Sequence, residues 1–252
     1  MKLLKLIYRF YILLKQQYGF NIFIIVYRMT GFAFDYIKYA LLDRNLQFSL
    51  SMMDWYPCLT DKTETTPLDP VYFYQDAWAA GKIFQNKPKH HYDVGSAAKT
   101  IGIISQFVPT TMVDIRPIEL KMDNLFFTKG SILELPFADN SIESISSLCV
   151  VEHIGLGRYG DPLDQFGSEK AIKELIRVTK PNGNIYFSVP IDEENKVFFN
   201  GHRAFTTEYI KKLFLKCKVE EELYIVDNKL RPDYIKSKGY AVALFSIKKD
   251  GL

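Results

Sequence analysis

Cysteine is scarce in this chain: Cys58, Cys149 and Cys217 are the only three in 252 residues. They are odd in number and far apart, and no C-x-x-C pair occurs. Neither a disulfide framework nor a zinc site is indicated, and no metal is expected. A reducing cytoplasm is the simplest setting. There is also no surplus of one charge: the net charge is +3, too small to argue for nucleic acid. No apolar run free of charge reaches the roughly 20 residues that a membrane-spanning helix takes. Internal repeats, low-complexity tracts and a G-x-G-x-x-G loop are missing as well. The last absence weakens a nicotinamide-reductase reading. A Tyr234-x-x-x-Lys238 spacing does occur, but it falls too late in the chain for that fold and is read as coincidence.

What is present suits one large domain with an appendage: 48% of the residues are hydrophobic and 24% charged. The boundary is set between residues 1–74, an N-terminal helical appendage and linker, and residues 75–252. The first 44 residues are aromatic and basic. Lys2, Lys5 and Arg9 recur at near-helical spacing, with Leu3, Leu6, Ile7, Phe10 and Leu14 on other faces. Such a helix either makes peripheral contact with an anionic membrane surface or packs on the main domain or a second subunit. Packing is favoured, because aromatic stripes usually mean buried contacts. Residues 45–75 read as a polar connection, with breakers clustered in "DKTETTPLDP".

From His90 onward strands and helices alternate. "HHYDVGS", "TTMVDIRP", "LFFTKGS", "SIESISSL" and "NIYFSVP" read as strands. "KTIGIISQF", "SEKAIKELIRVTK" and "TTEYIKKLFLKC" read as helices, the second capped by Ser168. "EELYIVD" and "YAVALFSIKK" have no room for a crossover helix between them, so they form an antiparallel end. The fold class is α/β: a three-layer sheet, mostly parallel, with an antiparallel C-terminal strand. In such sheets ligands bind at the carboxyl ends of the strands, near the switch in strand order. Three loops at that edge matter first. "DVGSAAKT" offers Asp93, Gly95 and Ser96, with small residues that let a ligand approach the backbone. Asp114, with Ile115 beside it, closes the second strand about 20 residues later, where a carboxylate can accept ribose hydroxyls. Ser131 and Ile132 follow the third strand.

"GSILELPFADNSIESISSLCVVEHI" followed by "ELIRVTKPNGNIYFSVP" resembles the class I S-adenosylmethionine-dependent methyltransferases, in Leu135-Pro136-Phe137, Asp139, Val151-Glu152-His153 and the Arg177-to-Gly183 stretch. The resemblance covers roughly residues 75–250 and implies a Rossmann-like sheet with S-adenosylmethionine as cofactor, held by Asp93, Gly95, Ser96, Asp114, Ile115, Ser131 and Ile132. The chain departs from the pattern at Ala97 and Ala98, where glycines are usual, and at Ser131, where an acid is usual. "VEHIGLGRYGDPLD" and "FNGHRAFTTEYI" are similar to a little-characterised bacterial family of unknown function that often accompanies surface-polysaccharide genes. That implies a saccharide or lipid-linked glycan precursor as partner and substrate, in the cytoplasm or at the inner face of its membrane, with a homo-oligomer also open. His153 and His202 fall at the ligand edge of the sheet and suit proton abstraction, with Asp161 beside them. Each histidine is equally readable as a structural residue bonded to backbone. Arg158, Tyr159, Asp164 and Arg203 suit a polar or phosphorylated substrate, and an ordinary turn explains Asp161-Pro162 equally well. The competing account is an inactive scaffold or binding module on the same fold, which a loop blocked at residues 96–99 would favour.

Overall fold

The structure is a computed structural model that describes residues 22–42, 45, 47–116, 118–236 and 241–251. The basic stretch around Lys2, Lys5 and Arg9 lies outside the described residues, as does Lys238. The chain divides into two compact units, Met1–Pro67 and Leu68–Leu252. In the first, helix α1 (Ile22–Ala40) sets Phe32 and Tyr36 edge-on against Trp55, with ring centroids 5.2 and 5.1 Å apart. Among the described residues no helix is long and apolar enough to cross a membrane.

The second unit opens with α2 (Pro70–Asn86). This helix starts inside the stretch expected to be a polar connection. Asp69 caps it by accepting the amides of Val71 and Tyr72, and Pro70 fits the first turn because its missing N–H has no partner there anyway. The sheet follows: β1 (His91–Val94), α3 (Ala98–Ile104), β2 (Thr110–Asp114), β3 (Leu125–Lys129), β4 (Ile142–Leu148), α4 (Gly167–Val178) and β5 (Thr179–Ile191). Then come β6 (Lys196–Phe198), β7 (His202–Ala204), α5 (Thr207–Leu213), β8 (Cys217–Val226), β9 (Lys229–Arg231) and β10 (Ala241–Lys249). Eight strands pair in the order β3-β2-β1-β4-β5-β10-β8-β9. The first five are parallel. β10 is antiparallel to both β5 and β8, as the missing crossover helix implied.

Two apolar clusters cover the two faces. Trp78, Ile83, Ile101 and Ile104 bring α2 and α3 onto Met112, Tyr186 and Leu244. Ala171, Ile172, Leu175 and Val178 of α4, with Ile210 and Phe214, pack on Val113, Ile145, Phe187 and Phe245. Strands covered on both faces read as near-continuous apolar runs, as β5 and β10 do. β4 does not: its Ser144, Ser146 and Ser147 are buried and satisfied by hydrogen bonds to β1. The expected Ser168 cap is not one. The helix begins a residue earlier at Gly167, and the Ser168 hydroxyl donates to Val151 O instead. A side-chain carbon at Gly167 would stand 2.5 Å from Ile154 O, so glycine is what lets α4 start against that loop.

The "LPF-x-D" and Arg177 parts of the sequence pattern meet here. Arg177 donates to Glu174, to Asp139 and to the carbonyls of Leu135 and Phe137. That fork pins the turn before β4 onto α4. The β6–β7 hairpin was not legible in the sequence; it holds His202 and Arg203 in its second strand.

Candidate active site

Strand order reverses between β1 and β4, so the loops after these strands border the crevice that open α/β sheets use for ligands. The loop after β1 is built on Asp93. This carboxylate is wholly buried and accepts from the Ser96 amide (3.0 Å), the Ser96 hydroxyl (2.6 Å) and the Ser146 hydroxyl (2.5 Å). Burial raises its pKa to about 6, against the pull of those hydrogen bonds. His91 extends the chain by bonding Ser144 and Ser146, and burial drives its pKa down to about 3, so it is neutral. The expectation that Asp93 touches a ligand is therefore not what the geometry provides: it shapes the loop from below. Gly95 does face the crevice. Its φ is +74°, and a side-chain carbon there would stand 3.0 Å from Val150 Cγ1.

Two connected hollows open at this edge. A narrow, mostly apolar slot is lined by Gly95, Val113, Asp114, Ile115, Gly130, Ser131, Ile132, Val150 and Tyr159, among others. Asp114 ends β2 at its rim. One of its oxygens accepts the Arg116 amide at 2.8 Å and the Arg116 Nε at 3.4 Å, and its other oxygen has no bond among the described residues. The Ser131 hydroxyl takes the Leu133 amide at 3.2 Å, which leaves its proton to donate. Five of the seven residues expected to hold a cofactor line this slot: Gly95, Asp114, Ile115, Ser131 and Ile132. Ser96 lies next door, where a second cleft of about 690 Å³ is lined by Ser96, Ala97, Ala98, Asp69, Tyr72, Cys149, Glu152, His153, Arg158, Tyr159 and His202. Residues 96–98 thus border open space rather than block it.

The loop after β4 carries most of the polar side chains. Cys149 leaves the strand at φ +52°, its amide held by Ser188. Burial pushes its thiol well above the usual range, so it is no thiolate nucleophile. Residues Val151–His153 form a short 3-10 turn. His153 Nδ1 lies 2.7 Å from Gly201 O, which can only accept, and 3.3 Å from Arg158 Nη1, which can only donate; Arg158 directs its proton to Gly201 O, and the shorter contact puts the imidazole proton on Nδ1 and the lone pair on Nε2. Burial holds His153 below the ordinary imidazole range, with Arg158 and His202 adding to that and the Gly201 bond opposing it. Arg158 Nη1 shares the Gly201 carbonyl at 3.0 Å, and its guanidinium lies 5.1 Å from the Tyr159 ring centre. His202 borders the same cleft from β7, its ring 4.9 Å from Phe198, and burial lowers its pKa too.

The rest of the expected constellation is engaged in building the loop. Asp161 accepts from the amides of Gly155 (2.6 Å) and Tyr159 (3.3 Å). Asp164 accepts from the Phe166 amide and from Lys170 Nζ, which keeps its carboxylate below the usual range. Arg203 is buried, with Nη1 on Ile154 O and Ser168 Oγ and Nη2 on Asp164 O. Asp164 and Arg203 face a separate hollow with Leu163, Val197 and Phe199. Sequence reasoning passed over Tyr72, Cys149 and above all Glu152. Glu152 is wholly buried in the "CVVEHI" run, yet neither carboxylate oxygen has a hydrogen-bond partner among the described residues. An acid flanked by valines directly after a strand was the available signal.

Comparison with solved structures identifies the architecture. N-methyltransferase NodS from Bradyrhizobium japonicum, in complex with S-adenosyl-L-homocysteine, superposes with a TM-score of 0.51 at 13% identity, over 72% of this chain and 88% of that one. The 1,6-didemethyltoxoflavin-N1-methyltransferase of Burkholderia thailandensis, with bound 1,6-didemethyltoxoflavin and S-adenosylhomocysteine, gives 0.52 at 11%, over 74% and 93%. The chain has the class I methyltransferase fold. The [4+2]-cyclase SpnF matches equally well, with a TM-score of 0.53 at 11% identity over 69% and 80%, so this fold is compatible with more than one chemistry. A model of the family described as Caenorhabditis protein of unknown function, DUF268, matches residues 111–217. That match does not support the bacterial family or the surface-polysaccharide setting expected from sequence. No curated protein matches the sequence.

Proposed function

We propose that the chain is an S-adenosylmethionine-dependent methyltransferase whose donor occupies the narrow slot and whose acceptor occupies the wider cleft. The observation that carries this reading is the pairing of Asp114, with one carboxylate oxygen open at the end of β2, and the left-handed Gly95 across an apolar slot. A nucleoside needs that combination: an apolar slot for the base, a carboxylate for the ribose hydroxyls, and backbone that can be approached closely. Ser131 and Ile132 stand where they would border the base. Ala97 and Ala98, in the places of the usual glycines, line the open cleft without filling it, which speaks against the scaffold reading.

When bound, the donor supplies an electrophilic methyl group on a sulfonium. The chain's own residues then orient the acceptor and take its proton. His153 is suited to the second task, because Gly201 fixes its tautomer and leaves Nε2 unprotonated. His202, which lines the same cleft, is the alternative base. Arg158 and Tyr159 are placed to hold the acceptor, and the polar lining favours a saccharide, free or lipid-linked. Calorimetric titration with S-adenosylhomocysteine tests the donor half. Asp114→Ala should weaken that binding by about tenfold or more without loss of folding, and unchanged affinity removes the ribose assignment.

A further inference from the structure

We infer that Glu152 and His153 together form the acceptor site and select a hydroxyl as the group that receives the methyl; this rests on the methyltransferase reading above. Glu152 is 0% exposed, and both its carboxylate oxygens are without a hydrogen-bond partner among the described residues. Buried polar atoms are nearly always paired, so a wholly unpaired carboxyl under a cleft marks a place where a ligand supplies the missing bonds. Glu152 belongs to the floor of the wide cleft, and Tyr72, Cys149, His153 and Arg158 surround it. Its Oε1 lies 3.8 Å from His153 Nε2, too far for a direct hydrogen bond. Tyr72 and Arg158, which line the cleft with it, are exposed.

The two groups are complementary to one kind of visitor. His153 Nε2 offers a lone pair, because Nδ1 holds the proton against Gly201 O. Burial pushes the Glu152 carboxyl up to about 8; its own amide, the Cys149 thiol and Arg158 oppose this, though neither the amide nor the thiol is in hydrogen-bonding geometry. At neutral pH the pair therefore presents one donor and one acceptor. A hydroxyl matches both by accepting from Glu152 and donating to His153. An alkyl amine is mostly ammonium at neutral pH, with only protons to give and no lone pair for Glu152, and would also face Arg158 and Arg116. A phosphate or carboxylate has only lone pairs and would meet the lone pair of Nε2. A thiol hydrogen-bonds weakly in either role. In the transfer, the hydroxyl oxygen forms the new bond to the methyl carbon while the carbon–sulfur bond breaks and sulfur keeps the electron pair. The hydroxyl proton passes to His153 Nε2. Glu152 fixes the oxygen through its hydrogen bond.

The test uses the full chain with its Glu152→Met variant, which keeps the length of the side chain but has no proton to donate, and with Glu152→Gln, whose amide can still donate. Affinity for S-adenosylhomocysteine is measured first by calorimetry. Transfer of labelled methyl from S-adenosylmethionine is then measured to a matched panel of glucose, glucosamine, 1-thioglucose and glucuronate, together with a polyol, a phenol and a nucleoside. Binding of the panel to the homocysteine-saturated protein is followed by saturation-transfer NMR. The expected result is label on oxygen only, with Glu152→Met lowering transfer and acceptor binding about 100-fold and Glu152→Gln keeping most of both, while donor affinity stays within about threefold and the melting temperature does not fall. Label on nitrogen or sulfur, no acceptor among the hydroxyl probes, or a fully active Glu152→Met variant overturns the assignment. Failure of the wild-type protein to bind S-adenosylhomocysteine instead removes the methyltransferase reading, and this inference with it.

Discussion

Replacing Glu152 by Gln should make the protein more stable near neutral pH, by an amount that depends on pH in a specified way. In the folded protein burial lifts this carboxyl from 4.5 to about 8. The unfolded chain releases the proton near 4.5, while the folded chain keeps it until about 8. Between those values the unfolded state binds fewer protons, so wild-type stability falls as pH rises through this window and levels off above it. At pH 7 the accumulated loss is on the order of 3 kcal/mol, and at pH 5 it is under about 1. Glutamine does not titrate and lacks this loss. The stability advantage of the variant should therefore grow by about 2 kcal/mol between pH 5 and pH 7. Asp93, raised to about 6, and His91, lowered to about 3, also titrate with folding, in opposite senses: Asp93 costs stability as pH rises from 3.8 to 6, and His91 as pH falls below 6.5. Both are common to the two proteins and cancel in the difference. Tyr72, Cys149, His153 and Arg158 face Glu152 and are common as well. Urea unfolding at pH 5, 6, 7 and 8, followed by circular dichroism, measures the difference directly. Parallel stability curves for the two proteins would mean that the folded chain solvates or pairs this carboxyl, and the argument for a ligand-seeking acid would fail.

Other changes test the frame around the site. Gly95→Ala forces a side chain into φ +74° and to 3.0 Å from Val150, so it should cost about 1–3 kcal/mol and weaken S-adenosylhomocysteine binding; full affinity would show that this loop does not border the donor. Arg177→Ala leaves Glu174, Asp139 and two carbonyls without their shared donor, and should lower stability by about 2–3 kcal/mol with donor affinity unchanged in the folded fraction, as denaturant titration and calorimetry would report. His153→Ala should cut methyl transfer by about 100-fold or more while leaving donor affinity intact, and unaltered turnover would pass the base role to His202.

Most of the sheet was legible because its signals are local. Alternating apolar runs and turn residues gave β1 to β5, and the missing crossover gave the antiparallel end. The slot was legible for the same reason: Gly95 follows β1, Asp114 ends β2 and Ser131 comes two residues after β3, and the topology alone brings strand ends together. What failed depends on where a side chain turns. Asp93 and Asp114 look alike in sequence, each an acid at a strand end, but Asp93 points down to Ser96 and Ser146 while Asp114 keeps an oxygen at the rim. Arg203 reads as a phosphate ligand until the carbonyls of Ile154 and Asp164 claim its guanidinium. Glu152 was quoted as part of a motif and given no role, because burial without a partner is invisible in one dimension. The β6–β7 hairpin was missed because its strands are three residues each, too short for a periodicity to show.

The central claim is that the slot between Gly95, Asp114 and Ser131 holds a nucleoside-type methyl donor. Titrating the purified full chain with S-adenosylhomocysteine in a calorimeter tests it most directly. The account predicts one site with micromolar affinity, about −8 kcal/mol. A folded protein that gives no binding heat at millimolar ligand would contradict it.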